Sequence, residues 1–194
     1  MKILICGDSF AADWTVKYSG IGWPNLLAKE FNITNVAQAG CSEYKIYKQL
    51  IQQPLDEYDI VIVSHTSAFR WYIEVPHPVH GNDPLHKNSD LIFADVEEHS
   101  KTKSGLKSIL EFFSNYFSIE YAEFVHELIC SKIHDTLKGK KVIHITNINN
   151  NSNVNFEMIN FHNVFLQNRG LLNHFTEEGN RIVFERIKEE ILKL

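Results

Sequence analysis

Three cysteines, Cys6, Cys41 and Cys130, stand in 194 residues. An odd count without paired spacing excludes a disulfide framework and fits a reducing compartment. No apolar run approaches the roughly 20 residues a membrane-spanning helix needs, so no membrane partner is expected. The opening run Met1 to Cys6 is too short and too poorly flanked for a secretory signal. These shortages predict a cytoplasmic protein. Positive charge is also scarce, with 19 Lys and Arg against 24 Asp and Glu and a net charge of -5. That balance supplies no electrostatic basis for binding a nucleic-acid backbone. There is no internal repeat, and the one biased tract is the Asn-rich stretch 147–155.

What is present suits a packed domain. Hydrophobic residues make up 44% and charged residues 22%, ordinary proportions for one domain over 1–194. Lys2 to Cys6 is almost continuously apolar and ends at Gly7, as a strand buried on both faces of a parallel sheet must be. Ile33–Val36, Asp59–Val63 and Lys141–Ile145 are further strand candidates. Helical patterns cover about 23–31, with Pro24 in a first turn, about 43–52, and about 177–194. Alternating strands and helices predict an α/β three-layer sandwich with a central parallel sheet of about five strands. An insertion at about 71–137 separates the third and fourth strands, loop to about 104 and helical beyond it. In such sheets functional residues collect past the carboxyl ends of the strands.

The candidates lie there. Gly7-Asp8-Ser9-Phe10 follows the first strand, where a serine can be exposed beside backbone amides aimed at an oxyanion. The plainer alternative is that Asp8 or Ser9 caps a short helix. Asn35 to Ser42 follows the second strand and contains Gly40, a glycine turn that can aim an amide or simply start the next helix. Ser64-His65-Thr66-Ser67-Ala68-Phe69-Arg70 ends the third strand, and His174 precedes the last helix with Thr176 as its cap.

In this order, the blocks resemble those of the SGNH, or GDSL-like, serine hydrolases, as short motifs spread over the whole chain. The resemblance implies a flavodoxin-like SGNH fold, Ser9 as nucleophile and His174 as general base. It further implies the amides of Ser9 and Gly40 as oxyanion donors. Two positions depart from it. The family has Gly-x-Asn-Asp after the third strand, and Thr66 stands where that asparagine belongs, a shorter third donor. His65, Ser67 and Arg70, with Asp8 and Asn173, are the accessory candidates. The family also places an aspartate three residues before the histidine, where this chain has Leu171. His174 then belongs to a dyad, takes an acid from elsewhere in the fold, or is oriented by a backbone carbonyl.

The implied activity is that of a serine esterase or acyltransferase on small acyl esters, such as O-acetyl groups of a carbohydrate, with no cofactor and no metal. The alternative is an SGNH-like binding or structural module whose site has degraded. A third reading, a metal-dependent hydrolase, uses His77, His80, Asp83 and His86. Gly81-Asn82-Asp83 spells part of the missing block but lies far past the strand, and is expected to be a turn. Phe112, Phe113, Tyr116, Phe117, Tyr121 and Phe124 form an aromatic stripe for which core packing is the default.

Overall fold

The computed structural model describes residues 1–148 and 154–194; of the Asn-rich tract, 149–153 lie outside the described residues. In chain order the elements are β1 (Lys2–Gly7), α1 (Trp23–Leu27), β2 (Asn32–Asn35), α2 (Glu43–Ile51), β3 (Ile60–His65), β4 (Arg70–Trp71), β5 (Leu91–Ile92) and α3 (Phe93–Ser100). Then come α4 (Lys107–Asn115), α5 (Ile119–Thr136), β6 (Lys141–Thr146), β7 (Ile159–Asn160), α6 (His162–Gln167) and α7 (Glu177–Lys193).

Five parallel strands form the central sheet in the order β2-β1-β3-β6-β7. The α/β three-layer expectation is met. Alternate residues of the continuous apolar runs serve opposite faces, because strand side chains point to the two sides in turn. Ile3, Ile5, Ile60, Ile62, Ile143 and Ile145 pack with Trp23 and Leu27 of α1 and Val183, Ile187 and Ile191 of α7. Leu4, Cys6, Val61 and Val63 pack with Ile46 and Leu50 of α2 and Ile133 of α5. Burial on both sides is why these strands carry no polar alternation.

The long segment after β3 differs in detail from its sequence reading. Part of the stretch expected as loop is the helix α3, and β4 and β5 pair antiparallel as a small second sheet. Leu91, Val96, Leu106 and Phe113 give this excursion its own core. The helix α5, by contrast, packs on the main sheet and carries the chain back to β6. Of the aromatic stripe, Phe113 is buried while Tyr116, Tyr121 and Phe124 are exposed, so core packing explains only part of it.

One close approach fixes where β1 ends. A Cβ on Gly7 would lie 2.6 Å from Ser64 Cβ and 3.0 Å from the Ser64 carbonyl oxygen. We expect Gly7→Ala to destabilise the fold by about 1–3 kcal/mol through overpacking against backbone. Urea unfolding checks this, and an unchanged midpoint would mean that β1 and β3 separate freely.

Candidate functional site

The strand order reverses between β1 and β3, which run side by side while their flanking connections diverge. Such a switch point leaves a crevice beyond the carboxyl ends. Asp8 stands in it with no exposed surface. Its carboxylate accepts from Phe10 N–H at 3.1 Å, from the Thr66 hydroxyl at 3.1 Å and from the Ser64 hydroxyl at 3.5 Å. The Arg70 guanidinium stands 3.4 Å away. Burial pushes the Asp8 carboxyl above its ordinary value, and Arg70 and the two shorter hydrogen bonds pull against it.

Ser9 follows, 5% exposed. The turn is braced from two sides. Gln49 of α2 accepts from Gly7 N–H at 2.9 Å and donates to the Gly7 carbonyl at 3.2 Å. On the other side the Trp14 indole N–H donates to the Ser9 carbonyl at 2.6 Å. Trp14 also packs against the His174 ring, with centroids 4.3 Å apart, and Phe10 meets the same ring at 4.7 Å. His174 thus sits between the residue after Ser9 and the indole bonded to Ser9. The Ser9 hydroxyl itself makes no hydrogen bond to the imidazole in this arrangement.

The imidazole is held by a backbone group. His174 Nδ1 lies 2.6 Å from the Leu172 carbonyl oxygen, an acceptor, so Nδ1 carries the proton and Nε2 holds the lone pair. Nε2 is buried without a partner among the described residues. The carbonyl is aimed by two successive residues in the left-handed region, Leu172 at φ 51° and Asn173 at φ 58°. A bulky residue there is strained, and such strain clusters at functional sites. Burial pushes the His174 imidazole down to about 4, so it is neutral at pH 7. The ring borders a cleft of about 220 Å³ lined by Phe10, Trp14, Tyr18, Phe175 and Asn180 among others. Thr176 caps α7 by accepting from Gly179 N–H at 3.2 Å, as the sequence predicts.

Gly40 adopts φ 71°, and a Cβ there would lie 2.6 Å from Ser89 Cβ, so only glycine fits. Asp90 N–H donates to the Gly40 carbonyl at 3.0 Å, and the Asp90 carboxylate accepts from Ser42 N–H at 2.7 Å. The excursion therefore clamps the β2–α2 turn. Among the described residues, neither Ser9 N–H nor Gly40 N–H donates to another group of the chain.

The remaining candidates are committed elsewhere. The Thr66 hydroxyl has one proton and directs it to Asp8. His65 faces away from Ser9, with Nδ1 2.7 Å from Glu43 and Nε2 2.9 Å from His144. Ser67 accepts from Phe69 N–H in a local turn, Arg70 donates to the Cys41 carbonyl as well as facing Asp8, and Asn173 accepts from Arg169. Gly81-Asn82-Asp83 is a turn, with Asp83 accepting from Leu85 and His86 N–H and paired with Lys17.

The histidine loop is compact, with His77 stacked on His80 at 4.8 Å and His80 3.5 Å from Asp95. Among the described residues its ligand atoms do not converge on one point. The set that does converge is Glu43, His126 and Cys130, with ligand atoms within 4.8 Å of one another. Sequence reading missed it, although His126 and Cys130 one helical turn apart on α5 are a visible signal. Compared with protein-family models and with curated proteins, the chain finds no match.

Burial lowers His174 and His77 to about 4 and His144 to about 3, and lowers His86 as well, while Glu43 raises His126 against the pull of its own burial. Each lowered imidazole binds a proton in the unfolded chain but not in the fold between its folded value and 6.5. Stability therefore falls as pH falls through that window, and the raised His126 and Asp8 oppose the four lowered rings. We expect the urea midpoint at about pH 5 to lie below that at about pH 7. Equal midpoints would mean that these rings titrate normally in the fold.

Proposed function

We propose that the chain is a serine esterase or acyltransferase acting on small acyl esters, O-acetyl groups of a carbohydrate among them. The observation that carries this reading is the state of His174. Its Nδ1 proton is fixed on the Leu172 carbonyl, its Nε2 lone pair has no partner among the described residues, and its ring is wedged beside the Ser9 turn. The carbonyl supplies what Leu171 cannot, a fixed tautomer, although it adds no negative charge to stabilise the imidazolium. The motif resemblance and the location at the switch point argue the same way.

In this mechanism Ser9 Oγ bonds to the acyl carbon as Nε2 of His174 takes its proton. The tetrahedral oxyanion is held by the uncommitted amides of Ser9 and Gly40. Collapse breaks the ester bond, and His174 returns the proton to the leaving alcohol. Water or an acceptor hydroxyl then releases the acyl group by the reverse steps. With the Thr66 hydroxyl on Asp8 the hole has two donors, and a missing donor costs about 10²–10³ in rate. A cytoplasmic location fits the three buried, unpaired thiols.

A binding module is favoured by one observation, the lack of a hydrogen bond between the Ser9 hydroxyl and the imidazole. Catalytic contacts often tighten only when substrate is bound, so labelling decides. We expect one fluorophosphonate adduct on the intact wild-type mass, none on Ser9→Ala, and a rate at least about tenfold lower on His174→Ala. The wild-type labelling rate should hold from about pH 7 to about pH 5, because the base stays neutral. Folded wild-type protein that takes no adduct would identify the module instead.

A further inference from the structure

On the other side of Thr66 from Ser9 lies a second cluster. Glu43 is the first residue of α2, held in place by its Ser42 cap, and α5 presents His126 and Cys130 from successive turns. All three are buried, with ligand atoms mutually within 4.8 Å. Glu43 Oε2 is 3.3 Å from His126 Nε2, and Cys130 Sγ is 3.8 Å from the same nitrogen. A tetrahedral ion with bonds of about 2.0–2.1 Å to nitrogen and oxygen and about 2.3 Å to sulfur spaces neighbouring donors by about 3.3–3.6 Å. We propose that Glu43, His126 and Cys130 form a site for one divalent transition-metal ion of the zinc class.

Three further features support the assignment. Imidazole, carboxylate and thiolate together match the borderline-soft preference of zinc. One carboxylate and one thiolate balance a doubly charged ion, which a buried location requires. The surroundings also orient the donors. Glu43 Oε1 is 2.7 Å from His65 Nδ1, and Glu43 Oε2 accepts from Thr66 N–H at 3.0 Å. His65 continues to His144, and His144 to His134 at 3.3 Å. Outer hydrogen bonds of this kind fix metal-binding carboxylates. Uptake of the ion releases two protons to solvent, the one His126 Nε2 donates to the Thr66 carbonyl at 2.9 Å and that of the Cys130 thiol, so that a nitrogen lone pair and a thiolate bind the metal.

Glu43 and His126 also line a cleft of about 360 Å³ walled by Tyr44, Trp71, Tyr72 and Tyr121. Three protein ligands beside an open cleft leave a fourth position for water or an oxygen ligand of a small molecule. The site is independent of Ser9 chemistry and stands whether or not that serine is reactive.

The test uses the full chain, freed of metal by a chelator, dialysed and titrated with cobalt(II), then zinc. We expect one equivalent of cobalt, a thiolate-to-cobalt charge-transfer band and four-coordinate d–d absorption, both displaced by zinc. Cys130→Ser abolishes the charge-transfer band, whereas Cys6→Ser and Cys41→Ser keep it. If Cys130→Ser does not fold, retention of the band in the other two assigns it to Cys130. No cobalt bound, cobalt bound without a thiolate band, or a band that survives Cys130→Ser overturns the proposal. The first outcome leaves a buried hydrogen-bond network, and the second places the ion away from Cys130.

Discussion

Asp8 is a carboxylate with no exposed surface at the point where the sheet changes direction, and a buried charge must find partners. Its partners come from every element around it. Phe10 N–H closes the turn after β1, Ser64 and Thr66 bring in the end of β3, and Arg70 brings in the start of the excursion. Arg70 also donates to the Cys41 carbonyl, which ties the loop before α2 to the same point. Asn147, just after β6, donates to Ser64. The turn after β1 and the end of β3 are thus registered directly on one side chain, and the loops before α2 and after β6 through Arg70 and Ser64. Removing it would leave Arg70 as an unpaired, largely buried cation, so the constraint works in both directions.

The parts of this arrangement that were legible in the sequence are those with local physical signatures. Continuous apolar runs flag strands buried on both faces, and β1, β3 and β6 follow them to within a residue or two. A glycine with a positive φ and a threonine cap also leave marks, at Gly40 and Thr176. The two-residue strand β7 carries too little pattern to be seen, and α3 hid in a segment whose prolines and histidines read as loop. A backbone carbonyl was one of the alternatives open for His174, but which carbonyl it is could not be read from the sequence. A search of side chains finds Leu171 where an acid belongs, but the Leu172 carbonyl has no side-chain signature. Only the left-handed pair Leu172 and Asn173 aims it. The Glu43, His126 and Cys130 set was hidden by separation, since one member starts α2 and two lie far along the chain on α5.

Thr66 joins the two halves of the structure. Its hydroxyl donates to Asp8, its N–H donates to Glu43, and its carbonyl accepts from His126. An asparagine at this position, the residue that the resemblance leads one to expect, has no hydroxyl to satisfy the buried Asp8 carboxylate. It would have to turn its amide toward Asp8, or leave Asp8 to Ser64, Phe10 N–H and Arg70. Thr66 is therefore the choice of a chain in which the end of β3 is packed between two buried acidic groups. The same packing explains why His65, next in line, is drawn into the Glu43 cluster and away from Ser9. The third strand's end serves Glu43 and Asp8 together.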